Sequence, residues 1–265
     1  MAKAIGIFDS GVGGLTVAKE ILSQLPQEDI VYFGDTARVP YGSKSIETIR
    51  RFAIEDARFL IKQNIKIMVV ACHTVSAVGL SALNEEFTTP IVGVISPGAR
   101  AAARATRNNR VGVIGTQAVI ESDAYAGAIK ALNPELEVFS QACPLFVPLV
   151  EEGWLDKPAT HLIAQEYLEL LIDKNVDTLV LGCTHYPLLK KVLSEAMGNG
   201  VRLVDPAYQT ALEVRNLLAR KNLLSREERT FTHRFFVSDA PDKFQEVGGM
   251  FLGEEISQIQ RVDIL

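Results

Sequence analysis

Short runs of Val, Ile and Leu recur along this chain at intervals filled by amphipathic stretches. The runs are Ala4–Phe8, Ile30–Phe33, Ile67–Ala71, Ile91–Val94, Val111–Ile114, Glu137–Phe139, Thr178–Leu181 and Val201–Val204. They show little polar alternation, which is the pattern of strands covered on both faces and therefore of parallel sheet. Between them the spacing of apolar residues predicts helices over Ile46–Gln63, Val75–Glu86, Asp123–Leu132, Thr160–Lys174 and Tyr208–Lys221. Strands that alternate with helices join by right-handed crossovers, so the expected fold class is α/β with mainly parallel sheets.

The chain also repeats itself. Ile5-Gly-Ile-Phe-Asp-Ser matches Val111-Gly-Val-Ile-Gly-Thr, and Ile67–Ser76 matches Leu179–Pro187, in the same order and at offsets of about 105 to 111 residues. Two matches in register predict two similar, pseudo-symmetric α/β domains with a site in the cleft between them. The first would comprise residues 1–96 and 208–265, the C-terminal segment packing back on it, and the second residues 97–207. Ser96-Pro97-Gly98 suits a hinge, and Asp205-Pro206 a second boundary.

With 48% hydrophobic residues over 265 positions, a sizeable core needs no disulfide or metal staple. A net charge of −5 argues against a nucleic-acid surface. Arg100, Arg104, Arg107 and Arg110 are expected to be a solvated helix face. No apolar run reaches the roughly 20 residues of a membrane span. Asp9 interrupts the N-terminal apolar stretch too early for a signal-peptide core. Three cysteines suit a reducing compartment, so a cytoplasmic protein is expected, with no membrane or nucleic-acid partner.

Ligands of open α/β sheets bind at the carboxyl ends of the strands. The polar groups of this chain fall there: Asp9-Ser10, Asp35-Thr36, Cys72-His73-Thr74, Thr116, and Cys183-Thr184-His185. Asp9-Ser-Gly-Val-Gly-Gly-Leu15 could offer backbone N–H groups to an anion at a helix start, or Asp9 and Ser10 could simply cap that helix. Thr16 stands where a dinucleotide loop needs its third glycine, and no P-loop pattern occurs.

Cys72 and Cys183 stand at matching strand ends, each followed within three residues by a Thr and a His. A thiol at a helix start and near imidazole is expected to have a lowered pKa. Cys143, by contrast, fits a small inert core residue. Two thiols facing each other across a cleft would offer a base to one face of a small substrate and an acid to the other, as inversion of a stereocentre requires. Zinc held by Cys72, His73, Cys183 and His185 is the chemical rival, but Cys-His and Cys-x-His spacings chelate poorly. A Cys-His hydrolase would leave the second cluster without a role.

Phe8-Asp-Ser-Gly-Val-Gly-Gly-Leu-Thr16, Gly34-Asp-Thr-Ala-Arg-Val-Pro-Tyr-Gly42, Ala71-Cys-His-Thr-Val-Ser-Ala77 and Gly182-Cys-Thr-His-Tyr-Pro-Leu-Leu189 resemble the motifs of the bacterial glutamate racemases, within the aspartate/glutamate racemase family. The resemblance runs from the N-terminus to about Arg220. It implies an isomerase that needs neither cofactor nor metal, takes glutamate as its small-molecule substrate and forms a homodimer. Its product, D-glutamate, would supply peptidoglycan synthesis and so cell-wall biogenesis and cell shape. By the same resemblance Cys72 serves the D-enantiomer with Asp9 assisting, and Cys183 the L-enantiomer with His185 and Glu151. Asp9, Ser10, Pro40, Tyr41, Gly42, His73, Thr74, Thr116, Thr184 and His185 would hold the substrate, largely through hydroxyls and backbone N–H groups. The chain departs from the family pattern at His73, where Asn is usual; a side chain that donates through one nitrogen and can become charged stands beside the first cysteine. Aspartate as substrate, or a non-catalytic module closing on an anionic solute, are the alternatives.

Overall fold

The structure is a computed structural model and describes residues 3–225 and 230–264. Met1, Ala2, residues 226–229 and Leu265, which the sequence places in the first unit, lie outside the described residues.

The first half runs β1 (Ala4–Asp9), α1 (Leu15–Gln24), β2 (Ile30–Gly34), α2 (Ile46–Lys62), β3 (Ile65–Val70), α3 (His73–Val78), α4 (Leu80–Glu86) and β4 (Ile91–Gly93). Then follow α5 (Ile95–Ala105), β5 (Arg110–Gly115), α6 (Gln117–Glu121), α7 (Ala124–Leu132), β6 (Glu137–Ala142), α8 (Phe146–Glu151), α9 (Pro158–Asp173), β7 (Thr178–Gly182), α10 (Lys190–Met197) and β8 (Arg202–Val204). The chain ends with α11 (Pro206–Arg220), β9 (His233–Val237), α12 (Pro241–Leu252) and β10 (Ile259–Arg261).

Two wholly parallel sheets result, ordered β10-β9-β2-β1-β3-β4 and β6-β5-β7-β8. The order β2-β1-β3-β4 recurs as β6-β5-β7-β8, so the internal repeat of the sequence is a repeat of topology. Both faces of the central strands are covered: every residue of β1, β2, β3 and β7 is buried. That explains their unbroken apolar runs, since each fully buried aliphatic side chain contributes about 1.5–3 kcal/mol. Lys66 interrupts β3, and its buried ammonium lies 2.5 Å from Glu28. β9, which no apolar run announced, joins the first sheet beside β2. Among the described residues no helix is long and apolar enough to cross a membrane.

Three expectations need correction. The stretch Val75–Glu86 is not one helix: it breaks at Gly79 into α3 and α4, glycine being the ordinary residue that least favours continuation after proline. Ser96-Pro97-Gly98 is not a hinge loop but part of the first turns of α5, where proline's missing N–H breaks no helical bond. Gly98 there lets α11 approach, because a Cβ would stand 2.9 Å from Pro206. The four arginines do not share a helix face; Arg100 and Arg104 lie on α5, and Arg110 begins β5. Arg100 pairs with Glu213 and Arg110 with Glu137.

The two halves meet where the backbone of one packs against side chains of the other. The loop between β1 and α1 lies so close to the segment after β7 that a Cβ at Gly13 would stand 2.2 Å from Thr184 Oγ1 and 2.6 Å from His185. Thr16 adds hydroxyl contacts to Gly13 O at 3.0 Å and Thr184 O at 3.3 Å. Gly13→Ala should therefore lower stability by about 1–3 kcal/mol through overpacking. Urea unfolding measures this; an unchanged midpoint would contradict the close contact.

Candidate active site

Between the carboxyl ends of the two sheets lies a cavity of about 390 Å³. Both cysteines that the sequence singled out line it, Cys72 from the end of β3 and Cys183 from the end of β7. Ser10, Pro40, Tyr41, Gly42, His73, Thr74, Thr116, Glu151, Thr184 and His185 line it too. Asp9 stands behind this wall, buried at the end of β1.

The first sulfur has polar but uncharged company and one anion. Cys72 precedes α3 as its N-cap and donates to Ser10 Oγ at 3.7 Å. Burial, and then the neighbouring Asp9 carboxylate, push its thiol up to about 12, against the opposing effect of the Val75 N–H, the Ser10 hydroxyl and the Ser10 N–H. The lowered pKa expected from a helix start is therefore overturned for this residue, because one short helix cannot offset desolvation beside an anion. Asp9 accepts from Gly11 N at 3.1 Å through Oδ2, while Oδ1 is buried with no hydrogen-bond partner among the described residues. Helix α1 begins only at Leu15, with Gly14 as N-cap and no side-chain cap, so Asp9 orders the loop and does not cap the helix. Burial raises Asp9 above the usual carboxylate range, opposed by His185 and the backbone N–H groups of Gly14, Gly11 and Ser10.

The second sulfur has a cation beside it. His185 Nδ1 lies 3.8 Å from Cys183 Sγ, and Nε2 lies 2.9 Å from Glu151 Oε1 at the end of α8. Burial would lower the imidazole pKa, but the contacts with Cys183 and Glu151 outweigh it and raise it to about 10. Burial alone would raise Glu151, but the hydrogen bond and charge of His185, with the Lys243 ammonium, together draw it below its ordinary value. Phe251 of α12 packs edge-on to the imidazole, the ring centroids 5.2 Å apart.

The remaining groups join the halves. Thr74 and Thr116 hydroxyls meet at 3.0 Å, and a Cβ at Gly42 would stand 2.6 Å from Thr116 Cβ. His73 is buried, with Nδ1 3.0 Å from the hydroxyl of Tyr125 on α7. Burial lowers its pKa to about 3, so at neutral pH it is an uncharged neighbour of Cys72. Tyr41 touches the cavity, yet its hydroxyl donates to Asp35 and lies 3.0 Å from Asp56 Oδ2, neither of which lines the cavity. The Tyr41 hydroxyl is thus engaged behind the cavity wall. Cys143 is buried away from the cavity, donating to Gln141 O at 3.6 Å.

The sequence missed Gly11, Val39 and Ser43, neighbours of predicted residues, and also Gln117, Pro144, Val147 and Pro148. Pro144, Val147 and Pro148 follow β6, which runs to Ala142 and not Phe139; had that strand end been placed correctly, the strand-end rule would have found them. Among the described residues no group of three or more His, Cys, Asp or Glu is arranged to hold a metal ion.

A model of the Asp/Glu/hydantoin racemase family matches residues 5–213. A glutamate racemase of Geobacter metallireducens is 57% identical over 262 residues, covering 99% of this chain and 97% of that protein. A glutamate racemase isoform of Bacillus anthracis superposes with a TM-score of 0.94 at 40% identity, covering 98% of this chain and 97% of that one. The Francisella tularensis glutamate racemase in complex with D-glutamate gives 0.93 at 43% identity, covering 99% and 98%.

Two outcomes follow from the electrostatics. His185 is raised from 6.5 to about 10 in the folded chain, so its stabilisation is complete below about pH 6.5 and drains away as pH climbs towards 10. Glu151→Gln should flatten that decline, measured as urea midpoints between pH 6 and 10; an unaltered slope would contradict the pairing. Alkylation of Cys72 by iodoacetamide, followed by peptide mass spectrometry, should still be accelerating above pH 9, because only the thiolate reacts. A plateau near pH 8 would contradict the raised thiol.

Proposed function

The chain belongs to the Asp/Glu/hydantoin racemase family, and on that footing we propose that it interconverts L- and D-glutamate with Cys72 and Cys183 as opposed acid and base, one taking the α-proton and the other delivering its own. One observation carries the mechanism: a single cavity is lined by two sulfurs, one from each sheet, with opposite electrostatic companions. Glutamate as the substrate draws support from the relatives that bear that name at 47% to 57% identity over nearly the whole chain. The cavity volume suits a small amino acid.

In the L-to-D direction the Cys183 thiolate removes the α-proton from one face. The electron pair left at Cα is delocalised into the adjoining carboxylate. The Cys72 thiol then delivers its proton to the opposite face, so the sulfurs exchange protonation states and the stereocentre inverts. The cationic His185, held by Glu151, is placed to balance the charge on Cys183. Cys72, high in pKa beside Asp9, is suited to begin as the acid. In the D-to-L direction Asp9, whose own pKa is raised and whose Oδ1 lacks a partner, is placed to assist proton loss from Cys72. Ser10, Thr74, Thr116 and Thr184, with the backbone of Tyr41 and Gly42, bind the carboxylates and ammonium without adding a competing base. Neutral His73 adds one further polar contact there. The two sulfurs need no cofactor for this exchange. In the cytoplasm, as a homodimer, the protein would supply D-glutamate for peptidoglycan.

Cys72→Ala and Cys183→Ala should each cut racemisation, followed by polarimetry with L- or D-glutamate, by on the order of 10²–10⁴-fold or more. Near-normal turnover by either variant would remove the two-base mechanism. Binding of glutamate with no turnover by the native protein would favour a solute-binding module.

A further inference from the structure

Behind the cavity wall lies a cluster for which proton transfer gives no use. The segment 36–43 supplies Val39, Pro40, Tyr41, Gly42 and Ser43 to the cavity, although it contains only two short 3₁₀ turns. What fixes it is a buried polar network. Arg38 donates to Asp35 Oδ2 at 2.6 Å, to Asp56 Oδ1 at 2.9 Å and to Glu55, with Phe52 stacked at 4.0 Å from its guanidinium carbon. Asp35 Oδ1 accepts from Ser238 at 2.8 Å, and Ser238 Oγ in turn accepts from Ala37 N at 2.8 Å. The Tyr41 hydroxyl touches Oδ2 of Asp35 and, at 3.0 Å, Oδ2 of Asp56.

Counting hydrogens exposes a deficit. The tyrosine has one proton but faces two carboxylate oxygens, and Asp35 and Asp56 are both fully buried. Were both carboxylates ionised, one of the two contacts would set two acceptors against each other in a medium where that is costly. Asp35 already accepts from Arg38 and Ser238, so it is the carboxylate best stabilised as an anion. Among the described residues, Asp56 Oδ2 has only Tyr41.

We propose that Asp56 carries a proton at neutral pH, donating it to Tyr41 while Tyr41 donates to Asp35, and that this relay is the positioning device for the cavity segment 36–43. Asp56, Tyr41 and Asp35 then form a directed chain in which every buried donor has an acceptor. Arg38 and Glu55 close it at one end and Ser238 at the other. Burial first, and then Asp35, lift the Asp56 carboxyl well above its ordinary range, against Arg38 and Tyr41. Asp56, on α2, and Asp35, after β2, thereby tie a poorly hydrogen-bonded loop to two regular elements.

Infrared difference spectra test the proton directly and do not depend on the racemase proposal. The native protein at pH 7 should show the carbonyl band of a buried protonated carboxyl that disappears in Asp56→Asn and shifts in Tyr41→Phe. Absence of any such band in the native protein, or its persistence unaltered in both variants, overturns the proposal. A second arm does rest on the racemase proposal. Asn can donate to Tyr41 and accept from Arg38, so Asp56→Asn should keep KM within about two-fold, whereas Asp56→Ala should raise KM about 3- to 10-fold with a smaller change in kcat. Equal damage by Asn and Ala would mean that the anion is what the loop needs, and would likewise overturn it.

Discussion

The two halves of this molecule touch where a side chain cannot fit. Gly13 stands against Thr184 and His185, and that contact sets the carboxyl end of one parallel sheet against the carboxyl end of the other. Parallel sheets place their loops, and with them their polar groups, at that edge. Facing two such edges this closely produces one shared cavity instead of two separate rims. The same closeness buries Cys72, Cys183, Asp9 and His185 together, and burial makes each neighbour's charge count.

From that burial comes an inequality between two otherwise similar strand ends. Topology makes β3 and β7 counterparts, and each ends in a cysteine. Their companions differ: Asp9 beside Cys72, and a His185–Glu151 pair beside Cys183. A repeated scaffold with unrepeated charges gives one end suited to hold a proton and the other suited to balance an anion. Inversion of a stereocentre has the same requirement, since its two faces demand opposite proton transfers.

Much of this was legible in the sequence. Apolar runs such as Ile67–Ala71 declare parallel strands because both faces are covered, and the duplicated order of motifs declared the duplicated sheet. The cysteine loops were legible because chemistry in α/β folds collects at strand ends. What escaped notice was set by distance in space. Asp56 reads as one more acid on an amphipathic helix, yet it is fully buried against Tyr41 and Arg38. Tyr125, 52 positions from His73, holds that imidazole. The thiol of Cys72 was expected to be acidic from its helix start, a local rule that desolvation overrode. Pro144 and its neighbours were missed because the last turn-like residues of β6, Ser140-Gln141-Ala142, are more polar than a buried strand usually is.

The central claim is that one sulfur takes the α-proton and the other delivers its own, solvent-derived proton to the opposite face. It is tested most directly in D₂O, starting from pure L-glutamate and stopping at low conversion. The account predicts deuterium at the α-carbon of the D-glutamate formed, and protium retained in the recovered L-glutamate. Deuterium appearing equally early in both enantiomers would mean a single base serving both faces, and would contradict it.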